Sequence, residues 1–146
     1  MICSMKVQKA RHCAYQIHYH IVFPVKYRKA LLSKEIEKKI LAVTEETSER
    51  YEIDFEQIGC DKNHIHILCS FHPKYSISEM VKRFKSITAR EIFRSYPEVE
   101  KDLWGGEFWT DGYYVSTIGE RGNWEVVKKY VKHQSNKEDI DQLRLF

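Results

Sequence analysis

The chain has 146 residues, 42% of them hydrophobic and 13% aromatic, a composition that suits one globular domain and excludes a disordered chain. A chain of this length buries roughly 68–70% of its unfolded surface, so a core forms without disulfide or metal staples. The formal net charge of +3 permits a nucleic-acid partner without demanding one, and no apolar run is long enough to cross a bilayer.

In chain order, residues 14–25 (AYQIHYHIVFPV) read as the first strand. Ile17, Tyr19, Ile21 and Phe23 alternate with Gln16, His18 and His20, the period of a half-buried strand. Ser33 is an N-cap, and Ile36, Ile40, Val43 and Thr47 follow at helical spacing, which predicts a helix over about 34–50. Residues 53–59 and 63–71 flank Cys60-Asp61-Lys62 and predict a hairpin. Ser76-Ile77-Ser78-Glu79 is a capping-box pattern. It opens a second helix with Ile77, Met80, Val81, Phe84, Ile87 and Ile92 as its core stripe, stopped by Pro97. An aromatic, glycine-punctuated stretch (Trp104, Gly105, Gly106, Phe108, Trp109) precedes a fourth strand at 112–118. A last helix is predicted from about Asn123 to about Gln134, followed by a charged tail. The order is βαββαβ plus a C-terminal helix: an α+β, ferredoxin-like plan with an antiparallel sheet and helices on one face. No repeat or linker divides residues 1–146, so a single domain is expected. This fold hosts many activities, so function must be argued from particular side chains.

His64-Ile65-His66 is the sharpest of these. On a strand, residues two apart point to one face, with Cβ atoms roughly 6.5–7 Å apart, so two imidazoles can converge on one metal ion. The same pair also suits a merely solvated strand face. On the last helix Tyr130 and Gln134 lie four apart and share a face. A phenol can serve as a covalent nucleophile once activated, and an amide oxygen can complete a metal site. Two imidazoles with an amide oxygen suit Mg²⁺ or Mn²⁺ acting on a phosphate. Val127, Tyr130, Val131 and Gln134 equally describe an ordinary amphipathic stripe. On the second helix Arg83, Arg90 and Arg94 lie near one face with Lys82 and Lys85 beside it, which is either a solvated face or a set of phosphate contacts. His18 and His20 read as structural or DNA-facing. None of Cys3, Cys13, Cys60 and Cys69 forms a CxxC pair, which argues against a zinc ribbon. With no signal-peptide pattern at the N-terminus, a reducing cytoplasm is expected. A zinc hydrolase using His64, His66 and Cys69 is disfavoured, because Cys69 falls on the opposite face of a regular strand.

Five segments together resemble one family. His20-Ile21-Val22-Phe23 with Lys26-Tyr27-Arg28 resembles its opening strand, and Asn63-His64-Ile65-His66-Ile67-Leu68 its histidine strand. Phe84-Lys85-Ser86 resembles its central helix. Leu103-Trp104-Gly105, Phe108-Trp109 and residues 112–119 resemble the stretch before its catalytic helix, and Tyr130 with Gln134 resembles that helix. The chain is thereby similar to the single-tyrosine HUH transposases, the transposase A group of insertion sequences that move as single strands. Many relatives carry an acidic residue directly before the first histidine. Here Asn63 stands there, with Asp61 two residues earlier.

The resemblance implies a magnesium- or manganese-dependent strand transferase acting on single-stranded DNA with hairpin ends. Tyr130 would be its nucleophile, and His64, His66 and Gln134 its metal ligands. It also implies a homodimer whose sites combine the histidines of one subunit with the tyrosine helix of the other. Residues 119–123 (GERGN) would be the hinge for that exchange. Two alternatives stand beside it: a domesticated relative acting on chromosomal palindromic repeats, and a non-catalytic nucleic-acid-binding ferredoxin-like module. The latter would not require these four residues together.

Overall fold

The computed structural model describes residues 7–118. The chain begins with a small antiparallel hairpin of β1 (Gln8–Ala10) and β2 (Cys13–Tyr15). It then enters β3 (His18–Pro24). The expected first strand is therefore broken at Gln16-Ile17. Its first part pairs with β1, and its second part belongs to the main sheet. The alternation along β3 also has a different meaning from the one expected. His20 is 5% exposed and Val22 0%, as buried as Ile21 and Phe23 on the other face.

α1 spans Lys34–Tyr51 and is capped as its sequence predicts, with Ser33 Oγ accepting from the Ile36 amide at 3.3 Å. It ends where Glu52 adopts a left-handed conformation with φ 55°. Ile36, Ile40, Val43 and Thr47 are buried, so its apolar stripe faces the sheet. β4 (Ile53–Cys60) and β5 (His64–Phe71) form the predicted hairpin. α2 runs Ile77–Ser95, with Ser76 Oγ accepting from the Glu79 amide at 3.1 Å. Met80, Val81, Phe84 and Ile92 reach the core as expected. Thr88, rather than Ile87, is the fully buried residue of the next turn. Pro97 stops α2 but also starts a short helix, α3 (Pro97–Lys101), that the sequence did not predict. Proline is well tolerated in the first turn, where its missing N–H has no intrahelical partner. β6 (Tyr114–Ile118) closes the described chain. The predicted helix at 123–134 and the tail lie outside the described residues.

The main sheet has the order β4-β5-β3-β6, and every neighbouring pair is antiparallel. With the two helices this is the ferredoxin-like α+β plan read from the element order. Ile21, Phe23, Ile65, Ile67, Cys69 and Phe71 face α1 and α2 and meet Ile36, Ile40, Met80, Val81 and Phe84 in one core.

The segment between α3 and β6 is pinned to that core. Phe108 and Trp109 are 1% and 4% exposed, and Trp109 packs edge-on against Phe23. Trp109 Nε1 donates to Thr88 Oγ1 at 2.9 Å. The Lys85 ammonium donates to the carbonyls of Thr110 and Gly112 at 2.6 and 2.9 Å.

Candidate active site

β5 is buried along its whole length. Its odd-numbered residues Ile65, Ile67 and Cys69 enter the helix-side core, so the alternation puts His64, His66, Leu68 and Ser70 on the opposite face. The zinc-hydrolase reading fails here: Cys69 lies in the apolar core, away from both imidazoles. His64 and His66 are 3% and 0% exposed, with ring centroids 5.1 Å apart and planes 68° apart. The strand alternation thus places the two side chains together, as the sequence predicts.

Each of these imidazoles is held through its Nδ1. His64 Nδ1 lies 2.8 Å from the Asn63 side-chain oxygen. An amide oxygen only accepts, so His64 Nδ1 donates this bond and Nε2 is the nitrogen left to face a ligand. Asn63, directly before it in the chain, thus orients His64. Asp61 instead turns its carboxylate to accept from the Lys62 amide at 2.7 Å. It still raises the His66 pKa slightly through its charge. His66 Nδ1 lies 2.9 Å from His20 Nε2. The sheet register explains this contact. Val22 is paired with His66 and His20 with Leu68, so His20 and His66 are diagonal neighbours on one face, within reach of long side chains.

Burial pushes the His20 pKa down to about 4. Burial also takes His66 down to about 3, with the neighbouring His20 and His64 adding to the shift. Both rings are therefore neutral at neutral pH, the form in which an imidazole ligates a metal. The donor chemistry fits a cation: two imidazoles on one face, each held through the nitrogen that would not ligate, is the usual arrangement of metal-binding histidines. Among the described residues no third His, Cys, Asp or Glu joins them to make a metal-binding group. The other two expected site residues, Tyr130 and Gln134, lie outside the described residues.

The same sheet face carries a second polar contact, between His18 Nδ1 and the Glu56 carboxylate. Glu56 falls at an irregularity in the β4–β5 register between Phe55 and Gln57. Such a bulge redirects a side chain, and here it brings the carboxylate to a strand that is not its neighbour.

The basic residues of α2 border two grooves. Lys82, Arg83 and Arg90 line a groove between α1 and α2. Lys82, Lys85 and Arg90 line a second groove, between α2 and residues 106–113. Arg83 lies over the Tyr51 ring at 4.4 Å and Arg94 pairs with Glu91 at 3.2 Å. Lys85 is committed to the Thr110 and Gly112 carbonyls, which makes it a tether for the segment leading into β6. Burial lowers its pKa to about 8.

An antiparallel ferredoxin-like sheet carrying a buried, oriented histidine pair on an inner strand defines the class: an α+β protein built around a histidine-bearing central strand. The particular family is also clear. The family described as "Transposase IS200 like" matches residues 13–134, and the chain belongs to it. It is 29% identical over 138 residues to the ISDra2 transposase TnpA of Deinococcus radiodurans, covering 94% of this chain and 98% of that protein. It is 27% identical over 131 residues to the transposase for insertion sequence element IS200 of Salmonella typhimurium, covering 90% and 85%. Two solved structures share the fold. One is a transposase from Deinococcus radiodurans R1, with a TM-score of 0.70 at 24% identity over 87% of this chain and 97% of the other. The second is a REP-associated tyrosine transposase bound to a REP hairpin, with a TM-score of 0.57 at 7% identity over 85% and 69%.

Proposed function

We propose that this transposase cuts and rejoins single-stranded DNA with hairpin ends, using Tyr130 as nucleophile and His64, His66 and Gln134 as ligands for Mg²⁺ or Mn²⁺. The observation that carries the reading is the His64–His66 pair, buried, on one strand face and held at each Nδ1. Membership of the IS200-like family supports it. The hairpin bound by the REP-associated relative supports a structured DNA substrate. The match to nearly the whole ISDra2 transposase favours a mobile-element enzyme over a domesticated one.

In this reading the Tyr130 hydroxyl oxygen attacks the scissile phosphorus and gives up its proton. The bond from phosphorus to the 3′ oxygen breaks, and that oxygen is protonated to a free 3′-OH. The product is a 5′-phosphotyrosine, which keeps the phosphodiester energy, so a second 3′-OH can reverse the step without ATP. A bound Mg²⁺ or Mn²⁺ would supply Lewis-acid polarisation of the phosphate. Asn63 holds His64 in the ligating tautomer. The active assembly is a homodimer in which each site takes its histidines from one chain and its tyrosine from the other.

The test is to incubate the protein with single-stranded DNA and Mn²⁺ and look for a covalent adduct on a denaturing gel. The wild type forms the adduct. Tyr130→Phe, His64→Ala and His66→Ala lose it, and EDTA abolishes it in the wild type. An adduct that persists in Tyr130→Phe removes that residue from the role, and one that persists in EDTA removes the metal.

A further inference from the structure

The His20–His66 contact joins two ring nitrogens, either of which can donate. The two rings have centroids 5.2 Å apart and planes only 15° apart, with His20 Nε2 and His66 Nδ1 at 2.9 Å. Stacked rings keep their atoms about 3.5–4.0 Å apart. Two nitrogens at 2.9 Å in near-parallel rings therefore mean that the rings lie edge to edge, almost in one plane. That is the geometry of an in-plane N–H···N hydrogen bond. Between two neutral imidazoles one nitrogen must donate and the other accept, and the choice fixes both tautomers.

We infer that His20 is a positioning residue: its Nε2 accepts from His66 Nδ1–H, locking His66 in the tautomer that carries its lone pair on Nε2, toward the metal site. The inference rests on the metal reading proposed above. Three features of the site carry it. His64 is already oriented in the same sense by Asn63, so the pair acts as a unit only if His66 matches it. His20 is held on an inner strand, 5% exposed, with Ser116 paired to it from β6 and Leu68 from β5. The Tyr114 ring stands steeply to the His20 ring, planes 76° and centroids 6.3 Å apart. The imidazole thus has little room to turn, and its acceptor nitrogen is fixed in place.

The test begins on the metal-free wild type, uniformly labelled with ¹⁵N. Long-range ¹H–¹⁵N correlation spectra at neutral pH report each histidine's tautomer directly. The expected result is Nδ1–H on His66 and an unprotonated Nε2 on His20. Nε2–H on His66 overturns the proposal, because the hydrogen bond would then run the other way. The second arm measures Mn²⁺ affinity without DNA or turnover, by electron paramagnetic resonance of free Mn²⁺. His20→Phe keeps a ring but offers no acceptor, and should weaken binding about 10–100-fold, the usual effect of removing an orienting partner. His20→Gln offers an amide oxygen and should recover most of that loss. Wild-type affinity in a folded His20→Phe, or a His20→Gln no better than His20→Phe, overturns the positioning role. No Mn²⁺ binding by the wild type instead overturns the metal reading, whatever the tautomer of His66.

Discussion

Replacing Thr88 by valine isolates the hydrogen bond that pins the segment before β6. The substitution nearly preserves shape and removes one hydroxyl. Thr88 is 1% exposed and Trp109 4%, so no water can replace the acceptor that Trp109 Nε1 loses at 2.9 Å. A buried donor left unsatisfied costs about 1–3 kcal/mol. The other bonds of Thr88, to the Phe84 and Lys85 carbonyls at 2.8 and 3.3 Å, lie within α2, where such back-bonding contributes little. For a domain of this size each kcal/mol lowers Tm by about 2–4 °C, so a fall of about 2–12 °C is expected. A double-mutant cycle separates this term from other effects of the valine. Trp109→Phe removes the N–H, and in that background Thr88→Val should cost little. A coupling energy of about 1–2 kcal/mol follows, within the usual range for residues in contact. Urea unfolding followed by far-UV circular dichroism measures all four proteins. An equal cost of Thr88→Val in both backgrounds refutes the argument.

Three further outcomes are expected. Asn63→Leu should weaken Mn²⁺ binding about 10–100-fold while Asn63→Asp retains it, because only the second keeps an acceptor for His64 Nδ1; isothermal titration checks both. Mixing His64→Ala subunits with Tyr130→Phe subunits should restore DNA cleavage, up to about half of the wild-type level per mixed dimer if sites are shared between chains. No rescue despite proven subunit exchange excludes shared sites. At pH 8 iodoacetamide should spare Cys60 and Cys69 in the folded protein. Burial pushes the Cys60 thiol up to about 12 and raises Cys69 as well, so neither supplies the reactive thiolate. Peptide mass spectrometry reads the outcome, and rapid alkylation of either refutes it.

The elements that the sequence predicts well are those with their own local signals. Ser33 and Ser76 start α1 and α2 where their hydroxyls accept an amide proton, and His64 and His66 share a face because strand period requires it. What escaped depends on pairing between distant segments. The break at Gln16-Ile17 follows from β2 finding β1 while β3 enters the sheet, and nothing within residues 14–25 marks it. His20 read as structural or DNA-facing because its partner lies 46 positions away. Only the register that sets Val22 opposite His66 brings the two rings together. Asn63 looked like a departure from the family pattern, yet its amide oxygen accepts the same hydrogen bond that a carboxylate would.

The order β4-β5-β3-β6 makes β5 and β3 the two inner strands, and these carry His64, His66 and His20. Amides in the middle of a sheet exchange with solvent only when the whole domain opens, whereas edges and loops open at far lower cost. The backbone beneath the histidines should therefore be among the slowest-exchanging parts of the chain. The histidine trio is built into the most persistent unit of the fold, so its rings need no ordering before anything meets them. Any change that loosens this pair of strands enough to disturb the trio will unfold the domain as well.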